Sequence, residues 1–306
     1  MNRREVLKGA VGVFTMWTSS RVLNAQQAPG GVHRLTDKMA VLDGGGSNVL
    51  ACSTAEGLVL VDGGAPKSGG QVMAALNALA PGAKVQTLFN THYHSDQTGN
   101  NEVFSAAGAK IIAHKHTLEW MSSDHWVAAE ERYETARPKA ARPSETFLTN
   151  GSLKTGGEQI DYGYLTLAHT NGDIYVFFRN SNVLAVGDVA SPLRDPALDY
   201  YTGAWIGGRV DAMDIVLKLA ANEQTRIVPA YGPVMSKAEF KAERDMMEEV
   251  RDRLFKQVRE GDGPKDMLDE GVLKGLARTW QDPSKFLYDA AKGCWAHHDK
   301  LGPNVV

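Results

Sequence analysis

A chain of 306 residues, 43% hydrophobic and 23% charged, is long enough for one large compact domain with an appendage and has the balance of a soluble globular protein. A formal net charge of -3 gives no electrostatic basis for binding nucleic acid or an anionic membrane surface, so neither is expected as a partner. The two cysteines, Cys52 and Cys294, match neither a zinc ribbon nor a Cys-x-x-Cys pair and read as two buried free thiols.

At the N-terminus, Arg3-Arg4 is followed by Val6-Leu7 and Lys8, then by a modest apolar segment from Gly9 to Trp17 and the stretch from Ser19 to Ala25. This resembles a twin-arginine (Tat) export signal cut after Ala25. The apolar segment is too short and too rich in Gly and Thr to span a bilayer as a helix. The expectation is passage through the twin-arginine export machinery, in the folded state, to the periplasm or the medium.

After the Pro29-Gly30-Gly31 break, residues 32–35, 39–43, 47–54 and 57–61 read as strands, with turns at Asp43-Gly44-Gly45-Gly46 and Asp62-Gly63-Gly64. A helix is predicted over 68–79, because Val72, Ala75, Leu76 and Leu79 share a face and Pro81-Gly82 stops it. The short β-branched and aromatic run 85–89 reads as a buried strand, followed by a polar loop, a helix over 100–107 and a strand over 110–113. Residues 117–142 are polar and aromatic, helical in parts and broken at Pro138 and Pro143; they read as an insertion lying over another part of the molecule.

A second β block is predicted at 147–149, 153–155, 159–162, 165–168, 174–178 and 183–186. Helices return at 210–221 and 237–259 around a strand at 226–228, and 265–295 reads as a helical, aromatic tail. Strands then helices, twice over, predict an α+β fold of two sheets packed face to face with helices outside. The boundaries are 1–25 for the signal, 32–262 for the sandwich and 263–306 for a helical C-terminal extension packed on it.

The polar loop runs Asn90-Thr91-His92-Tyr93-His94-Ser95-Asp96-Gln97-Thr98-Gly99-Asn100. Two imidazoles at i and i+2 and a carboxylate at i+4 would each need a buried partner if the strand continued into the core. At a strand's end the three can converge on one cation, with neutral imidazole as nitrogen donor and carboxylate as oxygen donor to Zn²⁺. The plain alternative is a polar loop that happens to hold two histidines.

Three further strand ends carry polar residues: Ala168-His169-Thr170-Asn171-Gly172-Asp173, Val186-Gly187-Asp188 and Pro229-Ala230-Tyr231-Gly232-Pro233. Each alone is ordinary turn chemistry. Together, His-x-His-x-Asp, then His-Thr-x-Gly-Asp, Gly-Asp and Pro-x-x-Gly-Pro, spread over about 41–240, resemble the metallo-β-lactamase superfamily. The resemblance implies an αβ/βα four-layer sandwich with metal at the sheet edge.

It also implies a first metal on His92, His94 and His169, and a second on Asp96 and the positions filled here by Gln97 and Tyr231, with the Asp188 carboxylate bridging. Histidine is usual where this chain has Gln97 and Tyr231. A Gln carbonyl is a weak zinc donor, and a phenol with a reference pKa of ≈ 10 must lose its proton to bind well. The expectation is one firmly bound Zn²⁺ on the three histidines and Asp188, with a second site weak or absent. Asp62 resembles a family position that orients the first-loop histidines from behind. His114 ends a strand in a motif that often carries a non-ligating histidine, and Gln97 is expected in a supporting role.

The activity implied is zinc-dependent hydrolysis of an activated carbonyl (ester, lactone, thioester or β-lactam) by a metal-bound hydroxide. Asp96 would orient that hydroxide or take its proton, and Tyr231 would donate to the oxyanion. The rival from another class is a non-catalytic exported protein that binds metal or a ligand on the same fold. A small-molecule substrate is the expected partner. Its identity would be set by 117–142 and by 191–209, with Tyr200, Tyr201 and Trp205.

Overall fold

The computed structural model describes residues 31–127 and 131–300; the expected export signal lies outside the described residues. The first sheet starts as an antiparallel meander of β1 (Val32–Arg34), β2 (Met39–Asp43), β3 (Asn48–Thr54) and β4 (Gly57–Val61). Helix α1 (Gly69–Leu79) crosses to β5 (Val85–Phe89), and α2 (Ser95–Thr98) and α3 (Asn101–Ala106) lead to β6 (Lys110–His114), both strands being added parallel. Helix α4 (Lys115–Met121) and a hairpin of β7 (His125–Val127) and β8 (Arg132–Glu134) precede β9 (Glu145–Phe147), which closes the sheet beside β6.

The second sheet holds β10 (Asn150–Thr155), β11 (Glu158–Tyr164), β12 (Ile174–Phe178) and β13 (Val183–Gly187). Helix α5 (Ile206–Leu219) then crosses over to β14 (Arg226–Pro229), parallel to β13, and β15 (Met235–Ser236) ends the sheet. Helices α6 (Lys237–Glu260), α7 (Pro264–Asp269) and α8 (Pro283–Ala296) follow.

The pleat decides how these parts stack, because it turns successive side chains to opposite faces. Met39, Val41, Leu50, Cys52, Val59 and Val61 face Ile160, Ile174, Val176 and Phe178 of the second sheet. Their sequence neighbours Ala40, Leu42, Val49, Ala51, Leu58 and Leu60 pack under Val72, Leu76 and Phe104 of α1 and α3. On the far side, Phe177, Leu184, Val186 and Ile227 pack with Val210, Met213, Phe240, Met247 and Leu287 of α5, α6 and α8. Strands buried on both faces need a cover on each, and the outcome is the expected four-layer αβ/βα sandwich. The strand ends that carry the polar motifs are stitched together at one edge. Ile174 N–H donates to Thr91 O at 3.0 Å, Ala230 N–H to Gly187 O at 2.9 Å, and Asn48 N–H to Ala230 O at 2.8 Å.

The expected strand at 165–168 is a turn instead, with Leu167 at φ +40°. Residues 145–147 pair with Lys110–His114 in the first sheet rather than opening the second, which begins at Asn150. The insertion carries a β hairpin as well as a helix, and the metal loop itself begins a short helix at Ser95. Helix α8 adds Phe286, Leu287, Ala290, Ala291 and Cys294 to the cluster that α5 and α6 share. Cys52 lies between the sheets and Cys294 among the helices; both are free, and burial pushes both thiols up to about 12.

Asp289 on α8 is a stability sensor. Burial pushes its carboxyl up to about 6, although Lys285 Nζ lies 3.4 Å away. A carboxyl raised in the folded state holds its proton better there than in the unfolded chain, so it costs stability as pH rises from about 4 to about 6. Asp289→Asn is expected to gain ~2 kcal/mol over the parent above about pH 6.5 and nothing below about pH 4, read by urea unfolding across that range.

Candidate metal centre

Each of the three imidazoles is held by its outer nitrogen. Asp62, at φ +63° just past β4, accepts from Thr91 N–H at 2.8 Å and from Thr91 Oγ1–H at 2.8 Å. That leaves Thr91 Oγ1 to accept from His92 Nδ1, 3.1 Å away, and aims His92 Nε2 inward. His94 donates through Nε2 to Asp199 Oδ2 at 3.2 Å, turning Nδ1 inward. His169 donates through Nδ1 to Ala197 O at 3.0 Å, turning Nε2 inward. The turn bearing His169 is locked by Asp173, which accepts from the backbone N–H of His169 at 2.6 Å and of Thr170 at 2.8 Å. A hydrogen bond at one ring nitrogen fixes the tautomer and leaves the other lone pair free for a metal.

The inner nitrogens converge. The donor atoms of His92, His94 and His169 lie within 4.8 Å of one another, all three residues buried. Ring centroids are 4.6 to 4.9 Å apart, with planes between 74° and 90°. His94 Nδ1 and His169 Nε2 approach to 2.9 Å, close enough to share one proton or to ligate one cation. His92 Nε2 is buried and makes no hydrogen bond among the described residues. Burial and the neighbouring imidazoles hold His92 well below the usual histidine range, and burial lowers His169 too. His92 and His169 are therefore neutral nitrogen donors near pH 7, the form a divalent metal needs, and the three buried rings fit such an ion.

Asp188 joins this group at 3.6 Å from His92 Nε2 and 3.9 Å from His169 Nε2, its carboxyl pushed up to about 6 by burial. Gly187 makes the approach possible. It sits at φ +57°, and a Cβ there would meet Thr91 Cβ and Oγ1 at 2.8 Å, so only glycine lets the two sheets come this close beside His92.

Asp96 lies in the first turn of α2, half-buried, outside the group of nitrogens within 4.8 Å. Burial raises the Asp62 carboxyl well above its usual range, and the charges of Asp188 and Asp96 add to that, so several carboxylates flank the centre. Gln97 is fully buried, and neither atom of its carboxamide is hydrogen-bonded among the described residues. Tyr231 is buried at the end of β14, with the Arg194 guanidinium 3.3 Å above its ring centre. His114 has both ring nitrogens occupied, Nε2 by Leu148 O at 2.9 Å and Nδ1 by His116 N–H at 3.3 Å, and stacks on Tyr164.

Sequence reasoning missed Asp199 and Tyr93. The Tyr93 hydroxyl donates to the same Asp199 oxygen as His94, at 2.5 Å. Burial pushes the Asp199 carboxyl up, but the hydrogen bonds from His94 and Tyr93 outweigh that and keep it below the usual range. No local pattern marks an aspartate 105 residues from the histidine it holds. Also missed was a buried charge cluster that pins the loop after Asp188: Glu243 lies 4.0 Å from Arg209 and 3.7 Å from Arg278, and accepts from Ser191 N–H at 2.7 Å.

The sequence profile of the metallo-beta-lactamase superfamily matches residues 42–272. Metallo-beta-lactamase IND-1 of Chryseobacterium indologenes is 26% identical over 147 residues, 48% of this chain and 55% of that protein, so the chain spans about half the length of the curated relative it matches. Among solved structures, a metallo-beta-lactamase from Pontibacter korlensis has a TM-score of 0.58 at 20% identity, covering 71% of this chain and 98% of its own. The sec-alkylsulfatase Pisa1 from Pseudomonas sp. has a TM-score of 0.66 at 13% identity, covering 89% of this chain and 52% of its own. Both structures share the fold.

Proposed function

The chain belongs to the metallo-beta-lactamase superfamily, and from that premise we propose that it is a zinc-dependent hydrolase of activated carbonyl compounds: esters, lactones, thioesters or β-lactams. The observation that carries this is the set of three buried imidazoles, each anchored by its outer nitrogen with its inner one facing the other two. His92, His94, His169 and Asp188 would hold the ion. Zinc bound there supplies Lewis acidity and makes water nucleophilic near neutral pH. Asp96 orients the attacking water and accepts its proton, and the Tyr231 hydroxyl donates to the substrate oxygen that gains charge.

One firmly held metal is the stoichiometry we propose. Gln97 offers a weak donor where a second ion would need a strong one. The Arg194 charge over the Tyr231 ring adds electrostatic repulsion against another cation there. We further propose that the chain is a twin-arginine passenger acting outside the cytoplasm, on the Arg3-Arg4 pattern. A reporter fused to residues 1–30 that stays inside the cell with Arg3 and Arg4 intact would refute that. Among the described residues no helix is long and apolar enough to cross a membrane.

The test of hydrolysis is a panel of chromogenic ester, lactone, thioester and cephalosporin, run on zinc-loaded protein with and without chelator beside a His92→Ala control. Chelator-sensitive turnover of at least one, with about one zinc per chain by elemental analysis, is expected. Absence of turnover above the control across the panel would favour the non-catalytic metal- or ligand-binding reading instead.

A further inference from the structure

Between Trp126, Tyr200 and the start of α8 lies an open cleft of about 630 Å³, the size of a small-molecule pocket. Its walls are aromatic: Trp126, Tyr200 and Tyr288 line it, and Trp126 and Tyr288 are 41% and 45% exposed, large rings left facing water. Its charge is negative. Glu131, Asp282 and Asp289 line it against a single cation among the described lining residues, Lys285. Lys285 is engaged with Asp289 at 3.4 Å, which leaves Glu131 and Asp282 in excess. Asp282 also caps α8, accepting from Lys285 N–H at 2.9 Å through one oxygen. Tyr288 already attracts a cation, with Lys292 Nζ 5.4 Å from its ring centre.

Two residues that line the cleft are sequence neighbours of residues around the metal centre. Tyr200 directly follows Asp199, the anchor of His94, and Trp126 directly follows His125, whose ring packs 5.4 Å from that of Tyr93. A neutral apolar ligand would cover the rings and strand two carboxylates against it, and an anion would be repelled. An organic cation satisfies both, because the ring faces and the carboxylates attract the same charge.

We propose that this cleft takes the alkylammonium end of a small-molecule substrate whose carbonyl reaches the metal centre; the substrate part of this assignment rests on the hydrolase reading above. Choline and its uncharged carbon isostere, 3,3-dimethylbutan-1-ol, titrated separately into the full chain at pH 8 by calorimetry and tryptophan fluorescence, provide the test. Asp289, pushed up to about 6, is ionised there. Choline is expected to bind about tenfold more tightly than the isostere. The preference is expected to collapse toward parity in Glu131→Gln/Asp282→Asn, where asparagine still caps the helix, and choline affinity is expected to fall in Trp126→Leu. Equal binding of the two probes, or an unchanged preference in the double variant, overturns the proposal.

A kinetic arm compares acetylcholine with 3,3-dimethylbutyl acetate, expecting about tenfold higher kcat/KM for the charged ester. Hydrolysis of both at equal kcat/KM counts against the cleft assignment alone. Hydrolysis of neither, with choline selectively bound, counts against the hydrolase reading and supports the cleft as a cation site.

Discussion

Replacing His169 with alanine is expected to weaken zinc binding about 60- to 700-fold and to abolish hydrolysis with it. Apparent binding free energies of about 10–16 kcal/mol, spread over four ligands, make one ligand worth roughly 2.5–4 kcal/mol. His169 is the sharpest choice because it joins two distant segments: its Nε2 meets His94 Nδ1 at 2.9 Å across 75 residues of sequence. The turn that carries it should survive, because Asp173 holds the backbone N–H groups of residues 169 and 170 rather than the ring. Competition with a chelating dye measures the affinity, and thermal unfolding of metal-free protein checks that the fold is intact. Undiminished zinc affinity in a folded variant would mean that the three rings do not share an ion.

The second large effect is expected from Asp199→Asn. The carboxylate accepts from Tyr93 Oη at 2.5 Å and His94 Nε2 at 3.2 Å, and it is fully buried. Both bonds reach the same oxygen, so an asparagine carbonyl there can still accept them, but only as a neutral acceptor that adds no charge to favour His94 as a donor, and its amide is left buried in place of Oδ1, which has no hydrogen-bond partner among the described residues. Losing such an anchor costs about 10- to 100-fold in metal affinity or activity. Tyr93→Phe keeps the carboxylate for His94 and is expected to do much less. The readout that separates positioning from simple destabilisation is the visible spectrum of the cobalt-substituted protein, which reports ligand geometry. A parent-like spectrum and zinc affinity in Asp199→Asn would show that His94 orients itself without this partner.

These two predictions also divide what could be read from the sequence from what could not. His92 and His94 were readable because their i, i+2 spacing places two rings in one loop, where convergence is a local matter. The sandwich was readable from residues such as Val41, Leu42, Leu50 and Ala51, since the pleat alone assigns neighbours to opposite faces. Asp188 and His169 came into view only through their order along the chain. What brings Asp188 within 3.6 Å of His92 is the absence of a side chain at Gly187, pressed against Thr91.

Residues 165–168 misled because apolar Leu165 and Ala168 imitate a strand, whereas they are buried as part of the turn that presents His169. By itself, then, the amino-acid order determined the layers, the metal loop and the kind of donor atoms, all properties of short-range spacing and side-chain chemistry. The tertiary structure alone decided which carboxylate anchors His94, how Arg194 lies over Tyr231, and where the aromatic cleft opens. Those depend on loops with no periodicity, whose side chains meet only after two sheets and their helices have packed.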